Sequence, residues 1–443
     1  MPKKHKKKIN KSKSNSKNSF NYIVFWPSLA LAIKILLIFN IPNHIWLGAD
    51  GESYITGLNS LLTEGFFSKA STLIYWPAGY PLVMWPLAKI SITAFTIMLG
   101  FLQSIVFAYS TYLFSKVIST SKLRKYGSIT AFLISFNPTL SLSSLVVGYE
   151  SLVASMLLLS VSFILGARIK HENDPSWNEL ILASIFLGIS AFVQPRTIVF
   201  TIALLVIYVL NLKNLRLQMT SVIAAIIITS ILPVALVFRN SVANDTLAIS
   251  TNLGTTMMVG AGDTATGGYG NTGGVVCEPK SGSSEITDNE RVKCVINWYL
   301  SNPSKSLKLA FNKSVYYWSP WSGPLTNGTM ARNPWSKINP INEIAKNPDG
   351  NELVYGPIGT FISWIWLLGG FLLLLLGTIY LWKLGGIERQ LGLLVSIPTF
   401  LGWFISIGTI GDDRFRIPQM GLSLFLQLTG WVSISHTFRK SKN

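Results

Sequence analysis

The sequence predicts an all-α, polytopic integral membrane protein, with about 10 transmembrane helices and further helices lying at the membrane surface. Three observations predict it. Of 443 residues, 49% are hydrophobic and only 13% are charged, about half the charged share of a soluble domain. The mean hydropathy is +0.42. Several apolar runs reach the ~18–20 residues that a helix needs to cross a bilayer. This balance excludes a disordered chain, a small secreted scaffold and an ordinary soluble enzyme.

The chain opens with a Ser/Asn-rich tail, 1–21, that holds eight lysines between Lys3 and Lys17. A formal charge of +18 raises the question of nucleic acid. The placement of these lysines just before an apolar run marks them instead as a disordered cytoplasmic anchor drawn to anionic lipid. No nucleic-acid partner is expected. The run 22–41 is too long for a signal-peptide core and lacks a small-residue cleavage site, so it reads as an uncleaved first span. Further spans are expected at 93–115, 127–146, 149–167, 178–194, 197–212, 218–238, 357–381, 391–409 and 417–436. Asn137-Pro138 marks the third of these for a kink or break. The chain thus divides into the tail, an N-terminal transmembrane region 22–238 with a first outer loop 42–92, an extracytoplasmic loop region 239–356 and a C-terminal transmembrane region 357–443.

Charge sets the orientation. With the tail inside, the cytoplasmic segments carry 21 of the 37 Lys and Arg, and the C-terminus with Arg439, Lys440 and Lys442 returns inside. The acids sort oppositely. Only Glu172, Asp174, Glu179 and Glu388 fall on the cytoplasmic side, so chemistry that needs carboxylates belongs outside.

In the first outer loop, Asp50-Gly51-Glu52-Ser53-Tyr54 leads into apolar residues at Tyr54, Ile55, Leu58, Leu61, Leu62 and Phe66. That spacing predicts an interfacial helix stopped by Gly65. Asp50 reads two ways, as the helix N-cap or, with Glu52 and Tyr54, as a general base for a hydroxyl. Tyr75-Trp76-Pro77-Ala78-Gly79-Tyr80-Pro81, with Pro86, predicts a rigid hairpin and a second interfacial helix through about Ile90. Its aromatics fit an interfacial belt or a substrate path.

Glu150 begins the fourth span beside Tyr149. An acid there avoids lipid by facing the protein interior. Arg196, in Gln194-Pro195-Arg196, marks the next outer turn, and Arg239 ends the seventh span. Asp412-Asp413-Arg414-Phe415-Arg416 lies between the last two. So many arginines beside acids exceed what snorkelling requires, and paired guanidinium groups suit a phosphate.

The long loop has many glycines, but no strand–GxGxxG–helix unit and no P-loop, so a nucleotide site has no support. Residues 287–301 and 303–318 read as two amphipathic helices ending in Tyr316-Tyr317-Trp318 and Trp321. Cys277 and Cys294 share this loop. Outside the cytoplasm a disulfide between them contributes roughly 3 kcal/mol, and two free thiols are the alternative. The four histidines lie too far from both, and from each other, for a zinc site.

The ordered series resembles the GT-C membrane glycosyltransferases, nearest the bacterial branch of protein O-mannosyltransferases and lipid A aminoarabinose transferase. The carrying residues are Asp50 with Glu52 and Tyr54, Pro77 to Pro81, Lys116 to Lys125, Asn137-Pro138 before Tyr149-Glu150, and Gln194-Pro195-Arg196. They continue with Arg239-Asn240, Asn252-Leu253-Gly254, Gly260, Asn302-Pro303 and Arg414-Phe415-Arg416-Ile417-Pro418. The resemblance spans about 22–436. It implies transfer of a sugar, a hexose or pentose, from a polyprenyl-phosphate donor to an acceptor on the outer face, usually with inversion. The acceptor is a lipid, a glycan or a protein. It implies a bacterial inner membrane and a base at Asp50. Many relatives carry adjacent Asp-Glu, whereas Gly51 separates Asp50 from Glu52, so the choice of base between them stays open. Arg414 and Arg416, then Arg239 and Arg196, are the expected holders of the donor phosphate. Tyr54, Tyr80, Tyr149, Glu150 and Asp413 are expected to line the cavity. A divalent metal, Mg or Mn, is a possible cofactor held by Asp50, Glu52 or Glu150.

Two rivals stand beside the transferase: a transporter or flippase of lipid-linked saccharide, and a polymerase or ligase of surface polysaccharide. A transporter predicts internal repeats and midplane polar residues. No clear repeat is visible, and Lys34 is the one plainly charged residue well inside a span.

Overall fold

The computed structural model describes residues 3–40, 50–170, 176–210, 215–268, 274–279, 286–318, 348–349 and 356–440. Trp321 and His44 lie outside these, as do the side chains of the basic tail. The described chain is helical. In order it forms α1 (Lys3–Asn40), α2 (Gly51–Glu64), α3 (Thr72–Tyr75), α4 (Gly79–Ile90), α5 (Phe95–Ile118), α6 (Gly127–Phe136), α7 (Pro138–Leu142), α8 (Glu150–Lys170) and α9 (Trp177–Val193). There follow α10 (Ile198–Leu210), α11 (Leu215–Asn244), α12 (Leu253–Val259), α13 (Asp288–Ser301), α14 (Pro303–Trp318), α15 (Pro357–Leu384), α16 (Gly386–Gly408) and α17 (Ile417–Lys440).

Six of these are long and apolar enough to cross a membrane: the 22–40 part of α1, α5, most of α8, α11, α15 and α16. The protein is therefore an all-helical chain built for a membrane. The other four expected spans take different forms. α9 has 17 residues and α10 has 13. The run 127–146 is broken at Asn137, whose side chain accepts from Leu140 N at 2.9 Å and caps α7 behind Pro138. α17 is long, but its face toward the bundle carries Gln419, Ser423 and Thr429, all buried.

α8 is the centre. It packs against α5, α9, α16 and α17, and is apolar nearly all round, as a helix with no free face must be. Its hydroxyls turn back on their own helix: Ser155 to Ser151 O (2.8 Å), Ser160 to Met156 O (2.7 Å) and Ser162 to Leu158 O (2.6 Å). That satisfies them without water. α15 and α17 cross in close contact because glycines face backbone. A Cβ on Gly377 would fall 2.0 Å from Leu426 O, and one on Gly430 would fall 2.1 Å from Leu373 O. Helix backbones approach this way where lipid offers no hydrophobic drive. The far side of α15 exposes Phe361, Trp366, Leu368 and Leu372.

The non-spanning helices follow the sequence pattern closely. α2 buries Tyr54, Leu58 and Leu61 and ends at Gly65, whose φ of 83° suits glycine. α13 opens on a capping box, with Thr287 and Glu290 bonding each other's backbone. Cys277 and Cys294 are bonded, with Cα atoms 6.0 Å apart, which ties 274–279 to α13.

Candidate functional site

Four turns from distant parts of the chain meet at one end of the bundle. The local sequence builds each. Pro195 opens a 3-10 turn at Pro195–Thr197, where its missing N–H costs nothing. Asp412 caps the turn Asp413–Arg416 through its carboxylate, which accepts from Arg414 N at 3.0 Å. Asp50 precedes α2, and Glu150 is the first residue of α8.

Arg414 is the hub. Its Nη2 lies 2.9 Å from Asp50 Oδ2 and its Nε lies 3.5 Å from Glu150 Oε1, with the three side chains only 9%, 17% and 12% exposed. Burial opposes the charge of Arg414, but Asp50, Tyr149, Glu150 and Asp412 hold its pKa well above the ordinary arginine value. Directional bonding is incomplete. Asp50 Oδ2 and Arg414 Nε are both buried and neither completes a hydrogen bond, so they are paired as charges while their hydrogen-bonding capacity is unspent.

Arg196 stands beside this group. Its guanidinium lies 4.2 Å from the centre of the Phe415 ring, and Arg414 lies 5.2 Å from the same centre. Arg196 makes no hydrogen bond or ion pair with any described residue. Burial lowers its pKa first, and Arg414 adds to that. Tyr54 and Tyr149 close the other side, their rings 6.4 Å apart. Burial, then the nearby carboxylates, raises Tyr54; burial, then Glu150, pushes Tyr149 up to about 12. Both are neutral phenols at any working pH. A cleft lined by Arg196, Gln194, Thr409 and Gln419 together with apolar Phe200 and Ile405 lies between α10 and α16. It encloses about 30 Å³, space for one or two waters.

Asp50, Glu150, Arg414, Arg196, Tyr54 and Tyr149 are therefore brought together. The Asp50 side chain makes no capping bond to α2 and turns to Arg414 instead. Four other expected site residues make different contacts. Glu52 is exposed on α2, turned away because helical spacing sends it to the face opposite Tyr54. Tyr80 is fully buried, its hydroxyl spent on Gln103 and Gly148 N, so it does not face a cavity. Arg239 is fully buried elsewhere, donating to Phe66 O (3.0 Å), Leu73 O (3.3 Å), Ser68 O and Asn240 Oδ1 (2.7 Å). It clamps the segment after α2 rather than holding a ligand. Arg416 donates to Trp318 O at 2.8 Å and anchors the end of α14. The Asp413 side chain lies outside the described residues. With Glu52 turned outward, Asp50, Glu52 and Glu150 do not form one metal-ligand set, and no group of three metal-binding side chains occurs among the described residues.

Comparison with known proteins finds no matching protein-family model, no similar curated protein and no similar solved structure.

Sequence reasoning missed Gln103 and Thr409, and named Gln194 and Phe415 only as motif neighbours of Arg196 and Arg414. A signal existed for Gln103, an amide inside an apolar run. It also missed Lys313, which is fully buried on α14 and donates to Tyr299 Oη (2.7 Å), Ile407 O (2.9 Å) and Thr409 O (2.6 Å). Those carbonyls end α16, just before the Arg414 turn, and a cation there answers their dipole. Burial nevertheless pushes Lys313 down from 10.5 to about 7. The folded value lies below the unfolded one, so the destabilisation from burying the ammonium is full below about pH 7 and fades as pH rises toward 10.5. Thermal unfolding between pH 7 and 9.5 is expected to show stability rising with pH. Lys313→Met is expected to flatten that slope, and an unchanged slope would refute the assignment.

Proposed function

We propose that the protein is a glycosyltransferase that moves a sugar from a polyprenyl-phosphate carrier to an acceptor hydroxyl at the outer face of the membrane. One observation carries this reading. Arg196 and Arg414 share the Phe415 ring, and Arg196, which makes no hydrogen bond or ion pair among the described residues, lines a cleft that also holds Gln194, Thr409, Phe200 and Ile405. Two neighbouring guanidinium groups, one unpaired, call for an anion. A cleft lined by both polar and apolar side chains suits one attached to a lipid. The sequence series from Asp50 to Pro418 that resembles the GT-C transferases supports the same class. The charge bias of the sequence supports this end of the bundle lying outside.

In this mechanism the donor phosphate takes Arg196 and competes with Asp50 and Glu150 for Arg414. Asp50 is then released to accept the proton of the acceptor hydroxyl. That oxygen attacks the anomeric carbon as the bond from that carbon to the phosphate oxygen breaks. The electron pair leaves with polyprenyl phosphate, whose growing charge Arg414 and Arg196 stabilise. One displacement inverts the anomeric carbon, and no ATP is consumed. A cleft of this size admits a sugar only if the Asp413–Arg416 turn and the end of α16 move apart.

The test is release of polyprenyl phosphate from a polyprenyl-phosphate sugar by the purified protein. Arg196→Ala is expected to raise KM for the donor ~10–100-fold, the worth of a charge-assisted hydrogen bond, with a smaller effect on kcat. No release by the wild type, under any acceptor supplied, would end this reading.

A further inference from the structure

Glu150 follows a stretch, 143–149, that breaks the helical run between α7 and α8. A continuous helix would satisfy its own backbone. This stretch instead draws on polar side chains from three other helices. Gln103 of α5 donates through Nε2 to Ser144 O (3.2 Å) and Val146 O (3.0 Å). Tyr80 of α4 donates to Gln103 Oε1 (3.2 Å) and accepts from Gly148 N (2.8 Å). Lys34 of α1 donates to Ser144 Oγ (3.0 Å), which also meets Ser104 Oγ at 3.1 Å. Lys34, Tyr80, Gln103 and Ser104 are all buried.

From this geometry we infer that Tyr80 and Gln103, backed by Lys34, are positioning residues that hold Glu150 against Arg414. The Tyr80 hydroxyl pins the peptide two residues before Glu150, and Gln103 pins the two carbonyls upstream. Tyr80 also packs edge-on against Tyr54, ring centres 5.0 Å apart, so the pin is braced against the site's other wall. Gly148 leaves the Glu150 carboxylate room to fold back over the stretch, since a Cβ at Gly148 would fall 2.6 Å from Glu150 Oε2. Polar groups are expensive in a membrane core and persist where they set a geometry. Here the geometry set is the 3.5 Å approach of Glu150 to Arg414, and a shift of ~1 Å at a reacting centre can cost ~100-fold in rate.

The experiment is a double-mutant cycle on the full-length purified protein, using Tyr80→Phe, Glu150→Gln and their combination, with Gln103→Met as a second entry to the same cycle should Tyr80→Phe not fold. In thermal unfolding, Tyr80→Phe is expected to lower Tm clearly in the wild type and much less beside Glu150→Gln. Equal shifts in both backgrounds would overturn the inference. A second arm rests on the glycosyl-transfer reading. Tyr80→Phe is expected to lower kcat ~10-fold or more while KM for the donor stays within ~2-fold. An unchanged kcat, or a loss confined to KM, would also overturn it. If the wild type releases no polyprenyl phosphate, the transfer reading falls, and the unfolding cycle alone decides the positioning role.

Discussion

Asp50→Asn is expected to lower kcat for polyprenyl phosphate release by ~10²–10⁴-fold, the usual worth of a general base, while KM for the donor changes little. The substitution is chosen because it separates two roles of one carboxylate. Asparagine caps a helix N-terminus as well as aspartate does, so a capping residue would tolerate it. In the structure Asp50 makes no capping bond, and its Oδ2 instead faces Arg414 at 2.9 Å. The amide keeps the shape but cannot take a proton from a hydroxyl at neutral pH. Arg414 retains Glu150, so the variant is expected to fold and to elute as the wild type does. Turnover equal to wild type in a folded Asp50→Asn protein removes the mechanism.

Arg414→Met is expected to cost about 3–5 kcal/mol of stability, the range for removing one partner of a buried charge pair, and to abolish turnover. The side chain is 9% exposed and serves two carboxylates that are 17% and 12% exposed. Without the Arg414 guanidinium, Asp50 and Glu150 lose their ion-pair partner. Adding Glu150→Gln to Arg414→Met is therefore expected to restore part of the lost stability. It should restore no turnover, because the phosphate still lacks one of its two cations. Thermal unfolding in detergent or nanodiscs reads the first effect and donor turnover the second. An Arg414→Met protein as stable as wild type would show that the ion pair is not a structural hub. Arg414→Lys keeps the charge without the planar fork, and is expected to fold better than Arg414→Met while recovering little activity.

The helices were legible because each rests on local chemistry. Gly65 ends α2, Asn137-Pro138 breaks the third expected span, Thr287 with Glu290 opens α13, and Asn302-Pro303 parts α13 from α14. The membrane class followed from composition, since a chain with 13% charged residues cannot clothe itself in water. The site was legible in part. Asp50, Glu150, Arg196 and Arg414 stand out as charges at the edges of apolar runs, where a charge needs a reason.

Which of those charges meet was a different matter. Arg196 and Arg239 look alike in sequence, each an arginine beside the end of an apolar run. Three backbone carbonyls between Phe66 and Leu73 happen to surround Arg239, while among the described residues Arg196 meets the face of Phe415 and makes no hydrogen bond. Asp50 and Glu52 are two residues apart, and the turn of α2 sends one inward and the other to solvent. By itself the sequence determined the membrane, the helices and the short list of charged groups, because burial and helix termination act over a few residues. Only the tertiary structure decided which guanidinium meets Asp50 and Glu150 and which makes no ion pair among the described residues. The partners come from segments hundreds of residues apart, and their meeting is set by how α8 gathers its neighbours.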